Sequence, residues 1–182
     1  MDELREEVAR VMHTADRLYA PQEVEQAFTR MASEINRDMA GRDVVAICVM
    51  NGGLVVSGML IPQLDFPLRV DYMHASRYRE KTSGDELHWK VNPSQPMAGK
   101  DLLLIDDILD EGYTLAAIID FLHSQSPASI RSAVAFKKEH DRGVRPPVEY
   151  IGLTVPDRYV FGYGMDYKGY WRNAPGVFAV AD

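Results

Sequence analysis

A chain of 182 residues, 46% of them hydrophobic, is long enough for one well-filled core, so two domains are not required. A formal net charge of −7 with no block of basic residues argues against a nucleic-acid partner gripped through its phosphates, which needs a clustered Lys/Arg footprint. The single cysteine, Cys48, excludes an intrachain disulfide; with no signal sequence and no run of about 18 apolar residues, a soluble cytoplasmic protein is expected.

In chain order, apolar residues recur at helical spacing over residues 2 to 13 (Leu4, Val8, Val11, Met12) and 22 to 40 (Val24, Ala27, Phe28, Met31, Ile35, Met39). Ala20-Pro21 separates these two expected helices. Val44 to Met50 is an apolar, β-branched run that includes Cys48 and reads as a buried strand. Asn51-Gly52-Gly53 ends it, and helix-like spacing resumes from Leu54 to Ile61. Residues 66 to 78 and 86 to 91 read as strands. The polar REKTSGDE between them has the composition of a mobile loop, with a plain exposed hairpin as the lesser alternative. Asn92 to Gly99, rich in Pro and Ser, leads into the next strand.

The chain is organised around residues 100 to 115, KDLLLIDDILDEGYTL. Leu102 to Ile105 form the unbroken apolar run of a strand buried on both faces in a parallel sheet, and the acidic pair Asp106 and Asp107 closes it. Carboxylates at that end of a strand stand where open α/β sheets bind ligands. Asp110, Glu111, Gly112, Tyr113 and Thr114 follow, then Leu115, Ile118, Ile119 and Leu122 at helical spacing. A Gly-containing turn thus opens a helix, whose free N–H groups form an anion site with the Thr114 hydroxyl as a further donor. Ile130 to Phe136 is the next strand, ending in Lys137-Lys138; a short strand-helix-strand link implies parallel neighbours, so Lys138 reaches the sheet edge of Asp106. Taken alone, a Lys there is a solvated strand end. Tyr150 to Val155 is a last strand, and the remaining tail is rich in aromatics and Gly.

The acid pair followed by Ile-Leu-Asp-x-Gly-x-Thr-Leu resembles the phosphoribosyl pyrophosphate (PRPP) signature of type I phosphoribosyltransferases, specifically the hypoxanthine-guanine enzymes. The resemblance extends over roughly residues 40 to 178 through Val155-Pro156-Asp157-x-Tyr159-Val160, Gly162-Tyr163-Gly164-x-Asp166-Tyr167 and Arg172. It implies an α/β fold with a mostly parallel central sheet flanked by helices and a small hood over its carboxyl edge. One domain spans 1–182, with N-terminal helices at 1–40, a core at about 41–146 and the hood at about 147–182.

The same resemblance implies the site. Asp106 and Asp107 would hold the ribose hydroxyls and support Mg2+, and Asp110, Glu111, Gly112, Tyr113 and Thr114 would hold the 5-phosphate. Asn51 and Gly52 match the turn that wraps pyrophosphate, with Asn51 in place of a basic residue; from the residues alone the stretch reads equally as an ordinary glycine turn. Arg172 matches a pyrophosphate-directed arginine and Asp166 a magnesium acid. Lys138 matches the lysine that meets the purine 6-oxo group, Tyr159 the ring that stacks on the base, and Val160 a backbone contact to its edge. Ser76-Arg77-Tyr78 is the nearest match to the family's lid pair, assigned to Arg77 and Tyr78. Glu111 departs from the family's Ser or Thr. The implied activity is Mg-dependent transfer from PRPP to the 6-oxopurine bases hypoxanthine or guanine, with xanthine left open, by a homodimer or homotetramer.

The chemistry requires a stabilised pyrophosphate leaving group and a purine nitrogen in line with C1. Asp110 is the candidate general base for the purine N7 proton, with a helix cap as its plain structural role. Two rivals stand beside this reading. A phosphoacceptor receiver domain would carry its acid pair on the first strand, whereas about a hundred residues precede this one. A regulator of the same fold would sense PRPP or purines while binding nucleic acid or a protein; the acidic charge and the presence of Asp110, Lys138 and Asp166 together favour an enzyme.

Overall fold

The computed structural model describes residues 2–77 and 87–181. In chain order the elements are α1 (Asp2–Thr14), β1 (Asp16–Tyr19), α2 (Pro21–Met39), β2 (Val44–Met50), α3 (Gly53–Leu60), β3 (Leu68–Arg77), β4 (Leu87–Val91), β5 (Asp101–Leu109), α4 (Tyr113–His123), β6 (Ser129–Lys138), β7 (Tyr150–Val155), β8 (Val160–Phe161) and β9 (Val177–Ala179). The helix expected after Ala20-Pro21 begins on that proline, whose missing N–H costs nothing in a first turn. The Glu23 carboxylate accepts the Ala20 N–H at 2.8 Å and closes the same turn.

The central sheet runs β4-β3-β2-β5-β6-β7, and β4 alone is antiparallel to its neighbour. Because side chains alternate across a strand, β2 feeds two cores. Val44 and Ala46 meet Val24, Phe28, Met31, Ile35 and Met39 of α2 and Val56 and Leu60 of α3. Val45, Ile47 and Val49 face Leu115, Ile118 and Leu122 of α4. Both faces of the sheet are therefore covered, which is why β2 and the start of β5 read as continuous apolar runs.

Two elements differ from the sequence expectation. β5 does not stop at Ile105 but runs to Leu109 beside β6, with Asp106 opposite Val134 and Leu109 opposite Lys137. Pairing with β2 does end at Ile105, so the acidic pair lies where one neighbour has left and the other continues. The second difference is the small sheet β1-β9-β8, in which the N-terminal β1 joins strands from the tail. The hood is thus made from both ends of the chain, while β7 belongs to the central sheet. Among the described residues no helix is long and apolar enough to cross a membrane.

Candidate active site

The turn after β5 is shaped by Gly112, whose φ of +79° suits a residue without a side chain. A Cβ there would also lie 2.3 Å from the Val144 carbonyl oxygen. The turn opens α4 and lines a cavity of about 500 Å³ bounded by Asp106, residues 108–115 and Arg142. Asp106, Asp110, Glu111, Gly112, Tyr113 and Thr114 therefore share one wall, as their spacing implied. Glu111 is exposed, and its backbone carbonyl accepts the Val144 N–H at 2.8 Å. Arg142, which the sequence reading did not single out, brings a cation into the same cavity.

Asp107 faces the other way. Its carboxylate lies under the turn between β2 and α3, where a Cβ on Gly52 would fall 1.9 Å from Asp107 Oδ2. Gly164 of the hood closes on the same spot, since a Cβ there would meet the Gly52 carbonyl at 2.2 Å. Arg172 donates to the Gly164 carbonyl at 2.6 Å, pairs with Asp166 at 2.6 Å, and stands 3.8 Å from Asp107 Oδ2. Gly52, Asp107, Asp166 and Arg172 are thus assembled from three parts of the chain. Asn51 is exposed at the start of the turn, and its carbonyl accepts the Leu54 N–H at 3.2 Å. Arg77 ends β3, whereas Tyr78 lies outside the described residues.

Burial raises both Asp106 and Asp107 above the ordinary carboxylate range, and for Asp106, raised well above it, the neighbouring Asp107 charge adds to the effect. The Asp107 N–H to Asp106 and the Ile108 N–H to Asp107, both 2.8 Å, offset part of that cost. Among the described residues, the only ion pair to either acid is the long contact from Arg172. Two adjacent carboxylates with so little countercharge fit a hard divalent cation held through oxygen ligands.

Lys138 arrives beside Asp110 rather than Asp106, with its ammonium 2.7 Å from Asp110 Oδ2. The other oxygen, Oδ1, lies 2.6 Å from Nε2 of His140, whose side chain is 4% exposed. Burial pushes the Asp110 carboxyl up, but the hydrogen bonds of Lys138 and His140 outweigh it and hold Asp110 below its ordinary value. Asp157 lies close by, yet Arg142 engages both of its oxygens. Asp110, His140 and Asp157 offer ligand atoms within 4.8 Å of one another, but their existing partners make this group a hydrogen-bond network. His140 was not singled out in the sequence; its only signal there is a histidine two positions beyond the strand-end lysine.

In the hood, the Tyr159 ring is 52% exposed and meets Tyr167 edge-on at 5.5 Å. Val160 is buried in β8 opposite Ala179, so the ring is offered from a paired strand end. Tyr167 is anchored in turn by donating to Glu7 of α1 at 2.6 Å. An exposed aromatic face on a fixed support can stack on a planar ring.

Residues 14–168 match the family model of the phosphoribosyl transferase domain. The hypoxanthine-guanine phosphoribosyltransferase of Staphylococcus epidermidis is 30% identical over 161 residues, 88% of this chain and 90% of that protein. That of Streptococcus pneumoniae is 28% identical, over 88% of this chain and 89% of its own. Among solved structures, a hypoxanthine phosphoribosyltransferase from Staphylococcus aureus has a TM-score of 0.88 at 27% identity, covering 94% of this chain and 95% of the other. A hypoxanthine-guanine-xanthine phosphoribosyltransferase has a TM-score of 0.84 at 26% identity, covering 92% and 97%. Matched along most of its length in sequence and in fold, the chain belongs to the type I phosphoribosyltransferases, in the hypoxanthine-guanine phosphoribosyltransferase family.

Proposed function

We propose that this enzyme moves the 5-phosphoribosyl group of PRPP onto hypoxanthine or guanine, giving IMP or GMP and pyrophosphate, with Mg2+ required. The observation that carries the reading is the 2.7 Å pair between Lys138 and Asp110 at the head of the phosphate-binding turn. It sets a donor for a 6-oxo oxygen and an acceptor for the N7 proton side by side, at hydrogen-bond distance from each other. As the base docks on Tyr159, Lys138 turns from Asp110 to the 6-oxo oxygen and frees Oδ2 for the N7–H. The N9–C1 bond forms, the bond from C1 to pyrophosphate breaks, and the N7 proton passes to Asp110.

The other residues immobilise the sugar and the leaving group. Backbone N–H groups from 111 to 114, with the Thr114 hydroxyl and the Arg142 charge, suit the 5-phosphate. Asp106 and Asp107 accept from the ribose hydroxyls, while Gly52 and Arg172 face the pyrophosphate. Asp106, Asp107 and Asp166 would hold magnesium, which when bound neutralises the pyrophosphate. Assembly as a homodimer or homotetramer is part of the proposal, and light scattering measures it.

The test is pyrophosphate release with PRPP and each of hypoxanthine, guanine, xanthine and adenine, with and without chelator. Turnover of hypoxanthine and guanine that stops on chelation is the expected result. No turnover with any 6-oxopurine would overturn the assignment, and full turnover in excess chelator would remove the metal from it.

A further inference from the structure

Asp110 is only partly shielded, with 43% of its side chain exposed, and in the resting site Lys138 fixes one of its oxygens. On the reading of Asp110 and Lys138 given above, that bond is surrendered when the purine binds. An aspartate freed on one side can rotate about two single bonds, and a general base that turns away from N7 loses its reach. The oxygen that stays engaged is Oδ1, on His140 Nε2 at 2.6 Å.

The tautomer of His140 follows from its other nitrogen. The Arg142 N–H donates to Nδ1 at 3.2 Å, and the Arg145 guanidinium lies 3.4 Å from the same atom. Two donors facing Nδ1 leave it as an acceptor, so the ring proton is on Nε2 and is donated to Asp110. The ring itself is held, because it is 4% exposed and Arg145 also donates to the His140 carbonyl.

We propose that His140 is the positioning residue of the catalytic base: its Nε2–H keeps Asp110 aimed at N7 while Lys138 transfers to the 6-oxo oxygen. His140 does not touch the substrate and acts through Asp110. The charged groups that face this pair are Lys138 from β6, Arg142 and Arg145 from the following loop, Asp157 after β7, and Glu111 on the turn, whose charge reaches Arg142.

The experiment compares His140→Phe, His140→Gln and Asp110→Asn for kcat, for KM of PRPP and hypoxanthine, and for the pH dependence of kcat/KM. His140→Phe fills the space without a donor, so kcat should fall on the order of tenfold with the KM of PRPP unchanged. A donor to the ionised carboxylate favours that form, so its loss should move the limb set by Asp110, which lies below any set by Asp106 and Asp107, about one pH unit upward. His140→Gln, whose amide can donate to Oδ1, should recover much of both. The double variant Asp110→Asn/His140→Phe should be no slower than Asp110→Asn alone.

If Asp110→Asn is impaired but His140→Phe keeps the parent kcat and acid limb, even with a lowered Tm, the positioning role is overturned and the base assignment stands. If Asp110→Asn keeps full kcat, the base assignment itself fails. Nitrogen-15 NMR of the unmodified enzyme supplies a test independent of folding in the variants. A protonated Nε2 and an unprotonated Nδ1 on His140 are expected, and the reverse tautomer would overturn the inference.

Discussion

A lysine ammonium has donors and no lone pair, so Lys138 can satisfy a 6-oxo oxygen but would meet the 6-amino group of adenine donor to donor. A site built to hydrogen-bond one group discriminates against an analogue lacking it by on the order of 10⁴-fold, and adenine should accordingly be a very poor substrate. Lys138→Ala should weaken use of hypoxanthine and guanine and narrow the gap to adenine. Tyr159→Ala should weaken every base alike, because all purines present a similar face to the ring. Competition among the three bases separates the two variants. For Asp110, replacement by Asn keeps the shape and removes the base, so kcat should fall on the order of 10²-fold or more with PRPP binding kept. The sign of its pH effect follows from the lowered pKa of Asp110. The active form of Asp110 is ionised and persists below the usual carboxylate range, so the limb of the profile that Asp110 sets lies lower than any limb from the raised Asp106 and Asp107. Lys138→Ala removes the hydrogen bond that lowers Asp110 and should move that limb upward; an unmoved limb would contradict the ion pair. Glu111, where the family has a hydroxyl, is exposed. Glu111→Ser should therefore change PRPP affinity little, and a large gain would show that the carboxylate opposes the phosphate.

At the scale of elements, the turn between β2 and α3 makes a sharper claim than its sequence did. Asn51-Gly52 read equally as an ordinary glycine turn, but the reason for Gly52 is not conformational, since its φ of −60° is open to any residue. It is steric, because Asp107 lies where a side chain would go. Gly52→Ala should leave the circular dichroism spectrum unchanged and push the Asp107 carboxylate aside. The KM of PRPP should rise about tenfold or more, as expected when groups that position a substrate are displaced. An unchanged KM would mean that Asp107 tolerates the shift. The strands and helices of the central sheet were legible because each repeats its apolar pattern at a fixed period, and residues 100 to 115 put Asp106 beside the turn, whereas Asp107 lies on the other side, under Gly52. Less legible was the length of β5, whose last residues are held by pairing with β6 although two of them are acids. β1 was missed for a similar reason, since four residues, Asp16–Tyr19, form a strand only because β9 pairs with them from the far end of the chain. His140 and Arg142 lie in an irregular loop, where neither period nor motif shows what they will meet.

For the whole molecule, the consequence of β1 is that the hood does not belong to the tail alone. α1, whose Val8 and Val11 are buried, is tied to it: the Trp171 indole donates to the Val8 carbonyl at 2.6 Å, and Glu7 accepts from Tyr167 and Lys168. Tyr167 in turn meets the edge of Tyr159, so the ring proposed to carry the purine rests on a support that begins in the first helix. The turn proposed to hold the phosphate and the acid pair, by contrast, are set by β5, β6 and α4 rather than by α1. Removal of residues 1–14 should therefore divide the two halves of the site. With two buried valines lost, destabilisation of about 2 to 5 kcal/mol is expected, seen as a lowered Tm. In the folded variant the KM of hypoxanthine should rise several-fold while that of PRPP stays near the parent value, because tilting one aromatic platform weakens stacking worth about 1 kcal/mol and leaves the phosphate contacts in place. A smaller change, Trp171→Phe, removes only the indole bond to α1 and should move the purine KM in the same direction by less. Equal losses for both substrates would show that α1 supports the whole fold rather than the hood, and the division of the site between the two parts of the molecule would then fail.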